Sequence, residues 1–186
     1  MNRGRSKQVT HILRAPLDNH ILEQLSAGDE VLVQGTVYAA RDAAHQRMAA
    51  ALEAGEQLPF DINGQIIYYV GPCPAPPGHV IGSAGPTTSS RMDVYTPPLL
   101  ARGLKAMIGK GARSQVVKDA MVKYGAVYLA AVGGAGVYLA RRIISVETIA
   151  YPELGPEALL KMELEDFPCI VAIDMRGNSV YRTWTG

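Results

Sequence analysis

Apolar residues occur along this chain both in short runs and at helical spacing, which indicates a mixture of short strands and helices. Short apolar runs rich in β-branched and aromatic residues occupy 31–38, 65–72 and 126–132, as is typical of buried strands. After the first run, apolar residues recur at helical spacing from Ala44 to Leu52. A strand that leads directly into an amphipathic helix favours the α/β class.

Local signals define the ends of other elements. Asp18 and Ser114 stand where their side chains can cap the first turn of a following helix, and Gly125 stands where the second of these helices should end. Residues 176–178 predict a turn. We expect about seven or eight short strands and three to five helices without strict alternation, hence an α/β fold with a mixed sheet flanked by helices. Strand order does not follow from the pattern.

Length and composition narrow the class of protein. The 186 residues fit one domain, 1–186, in which the polar residues 1–8 are expected to be flexible. Eighteen Lys and Arg against 17 Asp and Glu give a net charge of +1, so the charge balance predicts neither nucleic acid nor a charged membrane surface as a partner. No apolar run approaches the roughly 20 residues of a membrane span.

The cysteines favour a cytoplasmic protein that holds no metal itself. The chain has two cysteines, Cys73 and Cys169, without a CxxC pair or a spacing that would close a zinc site. Reduced thiols are the expected state, and the start of the chain lacks the apolar run of a signal peptide.

Glycine-rich segments do not match the common nucleotide-binding motifs. Gly109 and Lys110 are adjacent, as they are in a phosphate-binding loop. That loop also needs Gly five residues before Gly109 and Ser or Thr after Lys110, where this chain has Leu104 and Gly111. The segment 133–136 lacks the third glycine of a dinucleotide-binding turn, so a tight turn is the better interpretation.

The most unusual composition lies in a loop of Pro, Gly and Ser at 73–90, which ends in four hydroxyl residues followed by Arg91. Loops of this length are uncommon unless they are functional. Hydroxyls such as those of Thr87 and Ser89 can donate to an anion, and Arg91 can grip a carboxylate with two parallel hydrogen bonds. The alternative is a hydroxyl-rich turn that caps a helix starting near Arg91.

Two further cations occur where a predicted strand passes into a helix. Arg41 is followed by Asp42 and, one turn on, by His45, while Lys110 lies between two glycines. The carboxyl ends of strands are where α/β sheets place ligands, so Arg41, Arg91 and Lys110 together would suit a small dianion. A surface ion pair at the start of a helix and a lysine in a turn are the alternatives.

Several motifs, taken in order, resemble one known family. They are GTVYAARDAAHQRM, YYVGPCPAPPG, GSAGPTTSSRMDVYTPPLL, IGKG, the GGAG after AVYLAAV, and EDFPCIVAIDMRGN. The resemblance covers roughly residues 10 to 181 and is to the β subunit of two-subunit class I fumarate hydratases and L-tartrate dehydratases. The same region forms the C-terminal domain of single-chain class I enzymes.

The resemblance implies roles for individual residues. Arg41, Thr87, Arg91 and Lys110 match positions that contact substrate in the family, and Thr87 matches a candidate base for the C3 proton. A neutral threonine would need strong activation for that role. Asp42, His45 and Ser89 are expected to support these residues, with Asp42 and His45 orienting Arg41. Ser90 occupies a position that is often glycine in relatives.

The resemblance also implies an activity that requires a partner. We expect a swivelling β/β/α domain that adds water reversibly to fumarate, with dehydration of tartrate as the alternative, at a cleft shared with an α subunit. That subunit would carry a 4Fe–4S cluster held by three cysteines, which this chain cannot supply. Two α and two β subunits, with pairing of like subunits, are the expected assembly. A module that binds dicarboxylates without chemistry is the remaining hypothesis.

Overall fold

The computed structural model describes residues 10–132 and 134–181, which form one seven-stranded sheet and five α-helices. The predicted α/β fold with a mixed sheet is confirmed, whereas the predicted flexible segment 1–8 lies outside the described residues. The strands are β1 (His11–Arg14), β2 (Glu30–Ala39), β3 (Ile66–Tyr68), β4 (Ala106–Gly109), β5 (Val127–Ala130), β6 (Ile143–Ala150) and β7 (Leu159–Ile173). The helices are α1 (Asn19–Glu23), α2 (Asp42–Glu53), α3 (Thr96–Ala101), α4 (Gln115–Tyr124) and α5 (Gly136–Ala140), with 3₁₀ segments at Ser89–Met92 and Pro152–Glu157.

The sheet closes on itself. Strands β2, β3, β4 and β5 are parallel neighbours in that order, and β7 pairs antiparallel with both β5 and β2. These five strands therefore form a closed mixed barrel, to which β1 adds beside β2 and β6 beside β7. Closure leaves the barrel strands without a free edge.

A bulge bends the longest pairing of the barrel. The register between β2 and β7 shifts between Val33, which faces Phe167, and Gly35, which faces Leu164. Gly35 and Asp166 both have positive φ, 81° and 48°, and the Gln34 side-chain amide donates to the Asp166 carboxylate. Because a bulge increases the local twist of a strand, this irregularity helps β2 and β7 curve around the barrel.

Alternate residues of the strands enter two hydrophobic cores, as the pleat requires. One core receives side chains from all five barrel strands, including Val33, Ile108 and Phe167, and fills the barrel. The other joins the opposite face of β3, β4 and β5 to α2, α3 and α4, and contains Met48, Met107 and Met121.

The predicted helix ends are confirmed. The Asp18 carboxylate accepts from Ile21 N at 2.9 Å, and the Ser114 hydroxyl accepts from Val117 N at 3.4 Å. Gly125 ends α4 with a φ of 65°, in the left-handed region that glycine adopts without a steric penalty. The predicted turn at 176–178 is also present, because Asp174 N donates to Asn178 O at 3.0 Å.

Parallel strands place their carboxyl ends on one rim of the barrel. Arg41 lies just beyond β2, Gly71 just beyond β3 and Lys110 directly after β4, so segments far apart in sequence meet there. Within the described ranges 10–132 and 134–181, no helix is long and apolar enough to cross a membrane.

Candidate functional site

Arg41 extends from the end of β2 and is held from two sides. It is the N-cap residue of α2 in extended conformation, and its Nε donates to Glu157 Oε1 at 2.8 Å. A Cβ atom at Gly71 would lie 2.6 Å from Arg41 Cδ. A side chain at position 71 would therefore displace the Arg41 side chain from this position.

Asp42 links two of the predicted cations. Its Oδ1 accepts from Arg91 Nε at 2.9 Å, and its Oδ2 lies 3.6 Å from Arg41 Nε. We expected Asp42 to orient Arg41, and the structure adds Arg91, which comes from the loop after residue 86. One carboxylate thus lies between the two guanidinium groups and reduces the repulsion between them.

The loop carrying Thr87 adds to the rim as a short extension of the sheet. Thr87 N donates to Tyr69 O at 2.7 Å, and Ser89 N donates to Lys110 O at 2.9 Å. Thr88 and Lys110 form an isolated parallel bridge. Thr87 is half-buried, while the Lys110 side chain is exposed. The backbone hydrogen bonds therefore fix Thr87 and Lys110 as neighbours.

The capping alternative for the hydroxyl-rich stretch is not supported. The 3₁₀ segment Ser89–Met92 has Thr88 at its N-cap, and no side chain caps it. Ser89 is fully buried, and its hydroxyl instead contacts the Tyr128 hydroxyl at 2.8 Å.

Tyr128 on β5, which no sequence motif singled out, contacts both loops of the site through its hydroxyl. Its hydroxyl donates to Gly111 O at 2.9 Å, so it accepts from the Ser89 hydroxyl. Burial raises the pKa of the Tyr128 phenol, so the phenol keeps its proton. A Cβ atom at Gly109 would lie 1.9 Å from Ser89 Oγ, which shows how closely the loops pack. The sequence signal is a lone hydroxyl within the apolar strand VYLA.

A buried arginine, Arg113, lies beside this network, and no sequence motif singled it out either. Arg113 is 4% exposed, and its Nε donates to Asp93 Oδ1 at 2.6 Å. Its guanidinium also donates to Thr96 Oγ1 at 2.9 Å and lies 5.1 Å from the centroid of the Tyr128 ring. A buried charge persists only when it is paired, so Arg113 has a structural role in supporting the loops.

His45 is fully buried and neutral under the site. Its Nδ1 lies 3.0 Å from Arg41 O, and because a carbonyl oxygen can only accept, Nδ1 carries the proton. Burial lowers the pKa of His45 to about 4, and the charge of Arg113 acts in the same direction. Among the described residues, His45 Nε2 has no hydrogen-bond partner. A neutral imidazole positions the Arg41 carbonyl and gives no charge to an anion.

The structure thus brings the predicted residues to one rim by two kinds of contact. Arg41, Asp42 and Arg91 are joined by side chains, while the loops of Thr87 and Lys110 are joined by the backbone, with Ser89 and His45 buried below. Cys73 is exposed and Cys169 is buried, and both are free thiols. In the part of the chain that the structure describes, no group of three His, Cys, Asp or Glu side chains could hold a metal ion. Two separate cysteines do not fit an iron–sulfur cluster.

Comparison with known proteins decides the family. A family model described as the fumarase C-terminus matches residues 2–184. The chain belongs to this family. A relative from the same family, a class I aerobic fumarate hydratase of Escherichia coli K12, is 41% identical over 184 residues, which are 96% of this chain and 33% of the relative.

The relatives differ in how much of their own length this chain covers. Fumarate hydratase 2 of Leishmania major is 40% identical over 173 residues, 91% of this chain and 30% of the relative. A Methanocaldococcus jannaschii protein assigned as the β subunit of L(+)-tartrate dehydratase is 40% identical over 166 residues, 86% of this chain and 85% of the relative. The chain therefore spans about a third of the fumarate hydratases and most of the tartrate dehydratase subunit.

Replacing Tyr128 by Phe keeps the ring and removes the hydroxyl that joins Ser89 to Gly111. We expect the free energy of unfolding to fall by about 1–3 kcal/mol, because a buried serine hydroxyl and a carbonyl lose a partner. Urea unfolding measures this. The matched control is Tyr124→Phe, because within the described residues the Tyr124 hydroxyl makes no hydrogen bond and Lys105 Nζ contacts only the Tyr124 backbone carbonyl. Equal stability of the two variants would contradict the assigned role of Tyr128.

The buried His45 predicts an acid-sensitive stability. As pH falls from 6.5 towards about 4, the unfolded histidine takes up a proton while the folded one stays neutral, so folding becomes less favourable. Over this window the loss should be on the order of 3 kcal/mol. Urea unfolding at a series of pH values should show a flatter dependence for His45→Asn than for the wild type. Parallel curves would show that His45 titrates normally.

Proposed function

We propose that this chain is the β-type portion of a class I fumarate hydratase, a hydro-lyase that adds water reversibly to fumarate to give L-malate. Support comes from the family membership and from one observation above all, the grouping of Arg41, Arg91 and Lys110 on one rim beside a hydroxyl-rich loop. A dicarboxylate needs two anchoring points, and this rim offers paired arginines with a lysine nearby.

The arginines have the geometry of ligand-binding groups. Both use Nε to donate to a protein carboxylate. Within the described residues, the Nη groups of Arg41 and Arg91 make no hydrogen bond to protein, and a guanidinium can offer such groups to a carboxylate. Arg91 is 52% exposed and Arg41 is 30% exposed. The chain therefore presents two oriented cations to an incoming anion.

The proposed chemistry gives roles to Lys110 and Thr87, the other residues of the rim. Removal of the C3 proton of malate would develop negative charge on the adjacent carboxylate, which Lys110 and the arginines would stabilise. We propose Thr87 as the residue that receives this proton, in keeping with the resemblance. To receive a proton, the Thr87 hydroxyl must first lose its own, which neighbouring cations would favour. Lys110 is its backbone neighbour.

The proposal includes a second subunit or chain segment that completes the site. The fumarate hydratases similar to this chain are about three times its length, and its two cysteines do not fit a cluster. A 4Fe–4S cluster would accordingly belong to an α subunit, where it would supply a Lewis acid. We further propose a cytoplasmic assembly of two α and two β subunits, in which this domain swivels as a unit against α.

Tartrate dehydration to oxaloacetate is the second candidate function. It is favoured by the relative from M. jannaschii, whose length this chain nearly matches. L-Malate and tartrate differ by one hydroxyl, which one or two polar side chains can distinguish.

Substitution of the rim cations tests the proposed function. The chain is coexpressed with a cluster-bearing α subunit under anaerobic conditions, and kcat/KM is measured with fumarate, L-malate and tartrate. We expect Arg91→Ala and Lys110→Ala to lower kcat/KM by well over tenfold, because a substrate carboxylate buried in the assembled site would lose its charged partner, at a cost of roughly 2 to 5 kcal/mol. Arg47→Ala is the matched control, since Arg47 lies on α2 and pairs with Glu153.

The outcome separates the alternatives. Activity of the variants within about tenfold of wild type would refute the assigned roles. A preference for tartrate would select the second candidate function. Tight binding of fumarate by the chain alone, without activity in any assembly, would indicate a binding module instead.

A further inference from the structure

Glu157, which no sequence motif singled out, lies against one of the two proposed substrate arginines. Its Oε1 accepts from Arg41 Nε at 2.8 Å, and the two side chains are 32% and 30% exposed. The contact spans 116 residues of sequence.

The register of the barrel explains why these residues meet. Ala39 of β2 faces Leu160 of β7 in the antiparallel pair. If the pairing is continued two residues past Ala39, Arg41 comes opposite Ala158, the neighbour of Glu157. The pairing of β2 with β7 therefore places Glu157 next to Arg41.

The segment before β7 has a defined shape. Tyr151 and Gly155 have positive φ, 57° and 56°, and Leu154 N and Ala158 N donate to the carbonyls of these two residues at 2.9 and 3.0 Å. Such local hydrogen bonds limit the conformations available to a turn. Glu157 thus approaches Arg41 from a fixed backbone.

A second ion pair joins the same two elements away from the rim. Glu153 Oε1 lies 3.1 Å from Arg47 Nη2, and these side chains are 55% and 53% exposed. The pair shares the segment, the helix and the charge types of Glu157 and Arg41. It therefore serves as a matched control for any general effect of attaching this segment to α2.

We propose that Glu157 is a positioning residue for Arg41, one that occupies Nε–H so that the Nη groups of the guanidinium face the ligand. Asp42 accepts from Arg91 Nε in the same way, and although its Oδ2 also lies 3.6 Å from Arg41 Nε, the short hydrogen bond of Arg41 Nε is the one to Glu157. An arginine without such a partner samples many rotamers, and ordering it on binding reduces affinity. This inference rests on the proposed function for its kinetic test and on the structure alone for its spectroscopic test.

Kinetics of the assembled enzyme test the inference by the direction of the change in KM. For Glu157→Ala we expect KM for L-malate to rise about tenfold while kcat changes by less than about threefold. Glu157→Gln should recover part of the affinity, because its amide oxygen can still accept from Nε. Glu153→Ala should keep the wild-type KM. An unchanged or lower KM in Glu157→Ala, as expected if Glu157 competes with substrate, would overturn the proposal, as would an equal rise in Glu153→Ala.

A spectroscopic measurement on the full chain does not depend on activity. The Nε–H resonance of Arg41, identified by its loss in Arg41→Lys, should exchange slowly with water in the wild type and in Glu153→Ala, and much faster in Glu157→Ala. Equal exchange in the three proteins would overturn the inference. An assembled wild type without hydratase or dehydratase activity would instead refute the proposed function while this measurement still decides the role of Glu157.

Discussion

The antiparallel pairing of β2 with β7 is the constraint on which the rest of the structure depends. It closes five strands into a barrel, in which the parallel strands β2, β3 and β4 have their carboxyl ends on one rim. It also brings the start of β7 beside the end of β2, where Glu157 meets Arg41. The 15 residues of β7 allow it to pair with β2, β5 and β6. The geometry of the candidate site is thus a consequence of how the barrel closes.

The two arginines of the rim are held in place by contacts within the chain. Arg41 and Arg91 each donate through Nε to a carboxylate, and the loops of Thr87 and Lys110 are joined by backbone hydrogen bonds and by the Tyr128 hydroxyl below. Groups fixed in this way lose little conformational entropy on binding and need little reorganisation as charge develops. This preorganisation is what the proposed substrate role requires of the rim.

Features set by nearby residues could be predicted from the sequence, and features set by barrel closure could not. The caps at Asp18 and Ser114 depend on groups within one helical turn, so the sequence sufficed for them. The contact of Asp42 with Arg91 spans 49 residues, and the one between Arg41 and Glu157 spans 116. Such pairs depend on strand order, which hydrophobic periodicity does not encode. Thr87, Arg91 and Lys110 could be singled out from their positions in the sequence pattern, and the family resemblance implied their roles, whereas Arg113 resembled any surface cation until its burial was known.

We propose that this rim binds the two carboxylates of the substrate, and a crystal structure of the chain assembled with its α subunit and L-malate would test this binding mode. We expect malate carboxylate oxygens about 2.7–3.2 Å from Nη atoms of Arg41 and Arg91, with the Nε pairs to Glu157 and Asp42 intact. Malate bound elsewhere, with both arginines still paired and no carboxylate oxygen within about 4 Å of either guanidinium, would contradict it.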